Sequence, residues 1–142
     1  MIKSQIIKNK ISKYFSSRDD IKFAYLFGSQ SKNKTGRLSD IDIAVYLDEH
    51  FDGNERFDIR LKLIGQIGSL LKTDKIDLII LNDSPLLLSF NIVHDGIIIY
   101  SSDESKRIQF EVRIMSLYFD QQYYYKRHAQ MTIDRIAKEG IL

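Results

Sequence analysis

Cysteine is absent from the chain. That excludes a disulfide framework and any thiolate metal site, and it fits a reducing compartment. Proline occurs once and glycine seven times in 142 residues, too few for a disordered or low-complexity chain. Long apolar runs are also missing. None approaches the ~20 residues that span a bilayer, and the opening MIKSQIIKNKISKYF scatters lysines among isoleucines, without the apolar stretch of a signal peptide. The sequence predicts a cytoplasmic protein with no membrane partner. Neither sign of charge dominates: the net charge is +2. The basic stripe of a dedicated nucleic-acid binder is lacking, so direct nucleic-acid binding is not predicted.

A core is affordable, because 44% of residues are hydrophobic. Ile2, Ile6, Ile7, Ile11 and Phe15 recur at three- and four-residue steps, which predicts an amphipathic helix over residues 2–16. IKFAYLF (21–27) reads as a buried strand ending at Gly28, and residues 29–39 as a polar loop. DIDIAVYL (40–47) reads as a strand half-exposed where it starts. A helix follows over 54–72, with Phe57, Leu61, Ile64, Ile67, Leu70 and Leu71 expected on its apolar side. KIDLIIL (75–81) is a third strand, 84–94 a short helix with Pro85 in its first turn, and GIIIY (96–100) a fourth strand. Residues 103–138 hold no proline or glycine and read as one long helix or two, capped by Ser102 or Asp103. The order α-β-β-α-β-α-β-α implies an α+β fold of α/β character. It is a small mixed sheet with helices packed on it, in a single domain over 1–142, with its core at about 20–100 and a C-terminal helical tail at about 103–138.

The chemistry concentrates in Gly28-Ser29, ten residues, then Asp40-Ile41-Asp42. On a strand, Asp40 and Asp42 share a face about 7 Å apart, while Ile41 and Ile43 point into the core. Paired carboxylates repel unless a hard cation lies between them, and Mg²⁺ is held by one or two carboxylates plus substrate phosphates. Asp77 interrupts the apolar run Ile76, Leu78, Ile79, Ile80. A charge in a buried strand needs a partner or a metal. If that strand lies beside the Asp40 strand, three carboxylates converge, a set able to hold two metals about 3.5–4 Å apart. Gly28 lets a ligand approach the backbone, and Ser29 with the following N–H groups can hold phosphate oxygens. Lys32, Lys34 and Arg37 could neutralise a triphosphate tail. Each part has a plainer reading: a strand-ending turn, a loop-ending Asp40 beside a solvent-facing Asp42, an Asp77–lysine pair, and a solvated basic loop. Together these require several coincidences.

The string Leu26-Phe27-Gly28-Ser29, ten residues, Asp40-Ile41-Asp42-Ile43-Ala44-Val45 resembles the signature of minimal nucleotidyltransferases in the DNA polymerase β-like nucleotidyltransferase superfamily. With the small size and the Lys75-Ile76-Asp77-Leu78 strand, the chain looks like an MntA-type antitoxin, which pairs with a HEPN-domain ribonuclease toxin of the HepT type. The resemblance implies that Asp40, Asp42 and Asp77 bind two Mg²⁺ ions and that Asp77 helps activate an acceptor hydroxyl. It implies that Gly28 and Ser29 hold the β- and γ-phosphates of ATP, and that AMP passes to a tyrosine of the toxin. Where many relatives continue Gly-Ser-x-Ala-Arg-Gly, this chain has Gln30-Ser31-Lys32-Asn33. Lysine is a point charge where arginine would grip two oxygens.

His50, His94 and His128 have no zinc spacing, and none follows an arginine by the four to six residues of a HEPN nuclease, so the chain is not the toxin itself. No P-loop string occurs. In the tail, Tyr118, Phe119, Tyr123, Tyr124 and Tyr125 stand near Lys126 and Arg127. Three consecutive tyrosines cannot all face one core from a helix. The tail therefore reads either as a helix packing its aromatics on the domain or as a partner-binding surface, tyrosine and arginine being enriched at interface centres, with base stacking on nucleic acid as the lesser option. Two rival functions use the same residues: an antitoxin acting by binding alone, and a small-molecule adenylyltransferase of the antibiotic-modifying kind.

Overall fold

The computed structural model describes residues 4–28 and 41–140. Ser29, Lys32, Arg37 and Asp40, with the polar loop between the first two strands, lie outside the described residues. Within them the elements run α1 (Ser4–Ser16), β1 (Ile21–Phe27), β2 (Ile41–Leu47), α2 (Gly53–Leu71), β3 (Ile76–Ile80), a 3-10 turn (Leu81–Asp83), α3 (Leu86–Asp95), β4 (Ile97–Ser101) and α4 (Glu104–Glu139). The sheet order is β3-β2-β1-β4. β1 is antiparallel to β2 and β4, and β2 is parallel to β3. The parallel pair requires a crossover, which α2 supplies.

Helices cover both faces. On one, Ile7, Ile11 and Phe15 of α1 and Leu63, Ile67 and Leu71 of α2 pack on Ile41, Ile43, Val45, Leu78 and Ile99. The other carries Phe23, Tyr25, Ala44 and Tyr46 against Ile92 of α3 and Phe110 and Ile114 of α4. Phe23 and Tyr46 stack with centroids 4.8 Å apart, and Phe110 leans on both.

The buried stripe of α2 differs from the expected one. Leu63, Ile67 and Leu71 are buried, whereas Phe57, Leu61 and Leu70 are exposed. Apolar residues occupy so much of this helix that spacing alone allows either stripe, and the sheet selects the one at four-residue steps. A capping box opens α2: Asp52 accepts from the Glu55 N–H, and Glu55 accepts from the Asp52 N–H. Pro85 stands one place earlier than expected, at the N-cap of α3. The tail is one helix of 36 residues capped by Asp103, which accepts from Lys106 N–H at 3.0 Å. At about 1.5 Å per residue α4 is roughly 54 Å long, yet only Phe110 and Ile114 of it are buried.

Candidate active site

Gly28 closes β1 with φ +71°. A non-glycine residue is strained there, and space is the second constraint. A Cβ at Gly28 would lie 2.3 Å from Asp42 Oδ2. The glycine backbone and the Asp42 carboxylate thus share one small volume. The antiparallel register explains why: Phe27 pairs with Asp42, so the residue after Phe27 meets the aspartate's side chain.

β2 is fixed from its other side by β3. The Ile41 N–H donates to the Lys75 carbonyl at 2.9 Å, and the register continues Ile41 with Ile76 and Asp42 with Asp77. Neighbouring strands lie about 4.8 Å apart, and side chains in parallel register share a face. Asp42 and Asp77 therefore stand side by side, at one end of the face that α3 and α4 cover. Asp42 is half-buried and Asp77 is exposed.

The exposure of Asp77 corrects one expectation. Asp77 lies on an edge strand at the end of its face and is exposed, so it is not a charge enclosed in a core. What places it at the site is strand pairing. Of the predicted carboxylates, the structure brings Asp42 and Asp77 together; Asp40, Ser29, Lys32 and Arg37 lie outside the described residues. Among the described residues no group of three acidic or histidine side chains could hold a metal ion. The pair at hand suits one hard cation, with phosphate oxygens filling the remaining positions. The contact between Gly28 and Asp42 had no signal in the chain: the two are fourteen residues apart, and only the hairpin register joins them.

The family model described as polymerase beta, nucleotidyltransferase matches residues 9–105, a span that holds Gly28, Asp42 and Asp77. The chain belongs to that family. It is a nucleotidyltransferase with the corresponding fold. Over 117 residues it is 33% identical to the protein adenylyltransferase MntA of Shewanella oneidensis, covering 80% of this chain and 78% of that protein. It superposes on a chain of a crystal structure of a toxin–antitoxin with AMP-PNP, with a TM-score of 0.66 and 28% identity, covering 89% of this chain and 98% of that one. It also superposes on a chain from the structure of a tri-AMPylated Shewanella oneidensis HEPN toxin in complex with its MNT antitoxin, with a TM-score of 0.65 and 25% identity, covering 92% and 98%. No helix among the described residues of this nucleotidyltransferase is long and apolar enough to cross a membrane.

Proposed function

We propose that this nucleotidyltransferase moves AMP from ATP onto a tyrosine of a HEPN-domain ribonuclease toxin in the cytoplasm and so acts as its antitoxin. The observation that carries the reading is the in-register pair Asp42–Asp77, with Gly28 packed against the Asp42 carboxylate, in a member of this family. The relatives bound to AMP-PNP and to an AMPylated toxin supply the substrate and acceptor classes.

In this scheme the acceptor oxygen attacks the α-phosphorus of ATP. An O–P bond forms, the bond between the α- and β-phosphates breaks, and pyrophosphate leaves. Asp77, exposed and beside Asp42, accepts the hydroxyl proton. Gly28 and Ser29 hold the β- and γ-phosphates through backbone N–H groups and the serine hydroxyl. Lys32 and Arg37 neutralise the outer phosphates. Asp42 and Asp77, with Asp40, would hold Mg²⁺ (two ions in the full set), which would supply charge neutralisation of the triphosphate.

The toxin would dock on α4 from Phe119 onward. Phe119, Tyr123, Tyr124, Tyr125, Met131 and Ile133 are all more than half exposed. β4 ends beside Phe23, at the end of the sheet opposite Gly28, and α4 runs back from there, past Phe23 and Tyr46 at Phe110. Tyr118 stacks on Phe90 of α3 with Phe119 edge-on to the same ring, and the tyrosines that follow are exposed.

The test incubates the chain and its toxin with ATP labelled at the α-phosphate. Label should reach the toxin with wild-type protein and not with Asp42→Asn, while both bind the toxin. Equal transfer by Asp42→Asn would reject the scheme. The exposed tail also favours a second reading, neutralisation by binding alone. If Asp42→Asn loses transfer yet still silences the ribonuclease, binding suffices.

A further inference from the structure

A cavity of about 520 Å³ opens at the end of the aromatic face opposite the carboxylates. Tyr46 and Phe110, 7% and 4% exposed, form its floor. Arg56 of α2 and Asn82 of the 3-10 turn form one wall. The other is a single stripe of α4, where Lys106, Gln109 and Arg113 follow at three- and four-residue steps and so share a face. The Asn82 amide is committed to both the N–H and the carbonyl of Leu47, at 2.9 and 3.0 Å, which braces its wall.

Three cations line the cavity, and two already have carboxylate partners. Arg56 donates to Asp83 at 2.9 and 2.8 Å. Lys106 Nζ lies 2.7 Å from Glu49, the one acid on the lining, which also accepts from the Tyr46 hydroxyl at 2.9 Å. Arg113 differs. Among the described residues its guanidinium lies 5.6 Å from the Phe110 ring centroid and makes no ion pair. The ring holds the cation in place without neutralising it. The lining charge is three cations less one acid, or +2; adding Asp83 behind Arg56 leaves +1.

We propose that this cavity is a second ligand site that takes a phosphate-bearing small molecule, with Arg113 and Lys106 on its phosphate oxygens. The volume falls in the usual range of small-molecule pockets, about 300–1,000 Å³. A guanidinium fork matches phosphate geometry. The two ends of this face have opposite electrostatics. Asp42 and Asp77 repel a phosphate unless a cation intervenes, whereas the α4 stripe attracts one directly. Binding here is therefore independent of divalent metal, and the inference does not depend on the reaction assigned to the carboxylates. The phosphate has two possible sources, free pyrophosphate and the phosphate tail of a nucleotide.

The experiment titrates the full chain calorimetrically with sodium pyrophosphate, and separately with ADP, in excess EDTA. Chelation leaves the carboxylate end without a cation, and the Arg113 and Lys106 variants assign the heat to the basic cavity. Saturable binding is expected with either probe. Arg113→Gln should weaken it about tenfold or more, the effect of one charge-assisted hydrogen bond. Lys106→Gln should weaken it as well, and it serves as the second variant if Arg113→Gln fails to fold by circular dichroism. Lys62→Gln, an exposed lysine on α2, should bind like wild type and so controls for general charge. Tighter binding of ADP assigns the nucleotide source, and equal or tighter binding of pyrophosphate assigns the inorganic one. Absence of saturable binding to wild type, or wild-type affinity in the folded variants, overturns the proposal.

Discussion

Replacing Gly28 by alanine tests whether the glycine and Asp42 work as one unit. The backbone at φ +71° is costly for an L-residue, about 1–2 kcal/mol. The added Cβ would also lie 2.3 Å from Asp42 Oδ2, where real Cβ contacts essentially never fall under 3.0 Å. The carboxylate or the turn must move by at least 0.7 Å, the difference of those two distances. A displacement near 1 Å in a positioned catalytic group lowers the rate on the order of 10²-fold, or about 2.7 kcal/mol in barrier. Gly28→Ala should therefore lose about 1–2 kcal/mol of stability in urea unfolding, and roughly 10²-fold in transfer of α-phosphate label to the toxin. Gly140→Ala is the matched control. Gly140 has φ +84° but nothing within 4 Å of an added Cβ, so transfer should keep its wild-type rate. A wild-type rate in Gly28→Ala would refute the link between this glycine and the carboxylate.

Three further outcomes are expected. The Tyr25 phenol is buried and donates to Glu111, and both effects raise its pKa above the ordinary 10.0. The folded state thus retains this proton where the unfolded chain releases it. Stability should be complete below about pH 10 and fall as pH rises beyond it, with a shallower fall in Tyr25→Phe, as urea titrations between about pH 9 and 11 would show. Asp52→Ala removes the cap of α2 and should cost about 1 kcal/mol, read as a lower urea midpoint with unchanged slope. Gly65 lies inside α2 with open space where a Cβ would go, so Gly65→Ala should raise stability by up to about 1 kcal/mol.

The order and type of the elements were legible in the chain because they depend on local pattern. Alternation in DIDIAVYL, three- and four-residue steps in α1, and the lack of proline and glycine after residue 103 act over one element at a time. The same holds for the spacing of Gly28 and Asp42, which placed one at a strand end and the other near a strand start. The buried face of α2 was not legible. Phe57 and Leu61 are as apolar as Leu63 and Ile67, and only the position of the sheet decides which pair loses contact with water.

The site divides along the same line. Residue types and spacing determined that carboxylates and a glycine turn would be available, since hard-cation chemistry needs carboxylates and a left-handed turn needs glycine. Tertiary structure decided that Asp77 stands beside Asp42, that it is exposed, and that the Gly28 backbone closes on the Asp42 carboxylate. Each of these follows from strand register, which is set by non-local hydrogen bonds between segments up to thirty-five residues apart in the chain (Asp42 and Asp77). The basic cavity had no local signature at all. Arg56 and Arg113 sit on different helices and share a pocket only because both helices pack around one end of the same sheet.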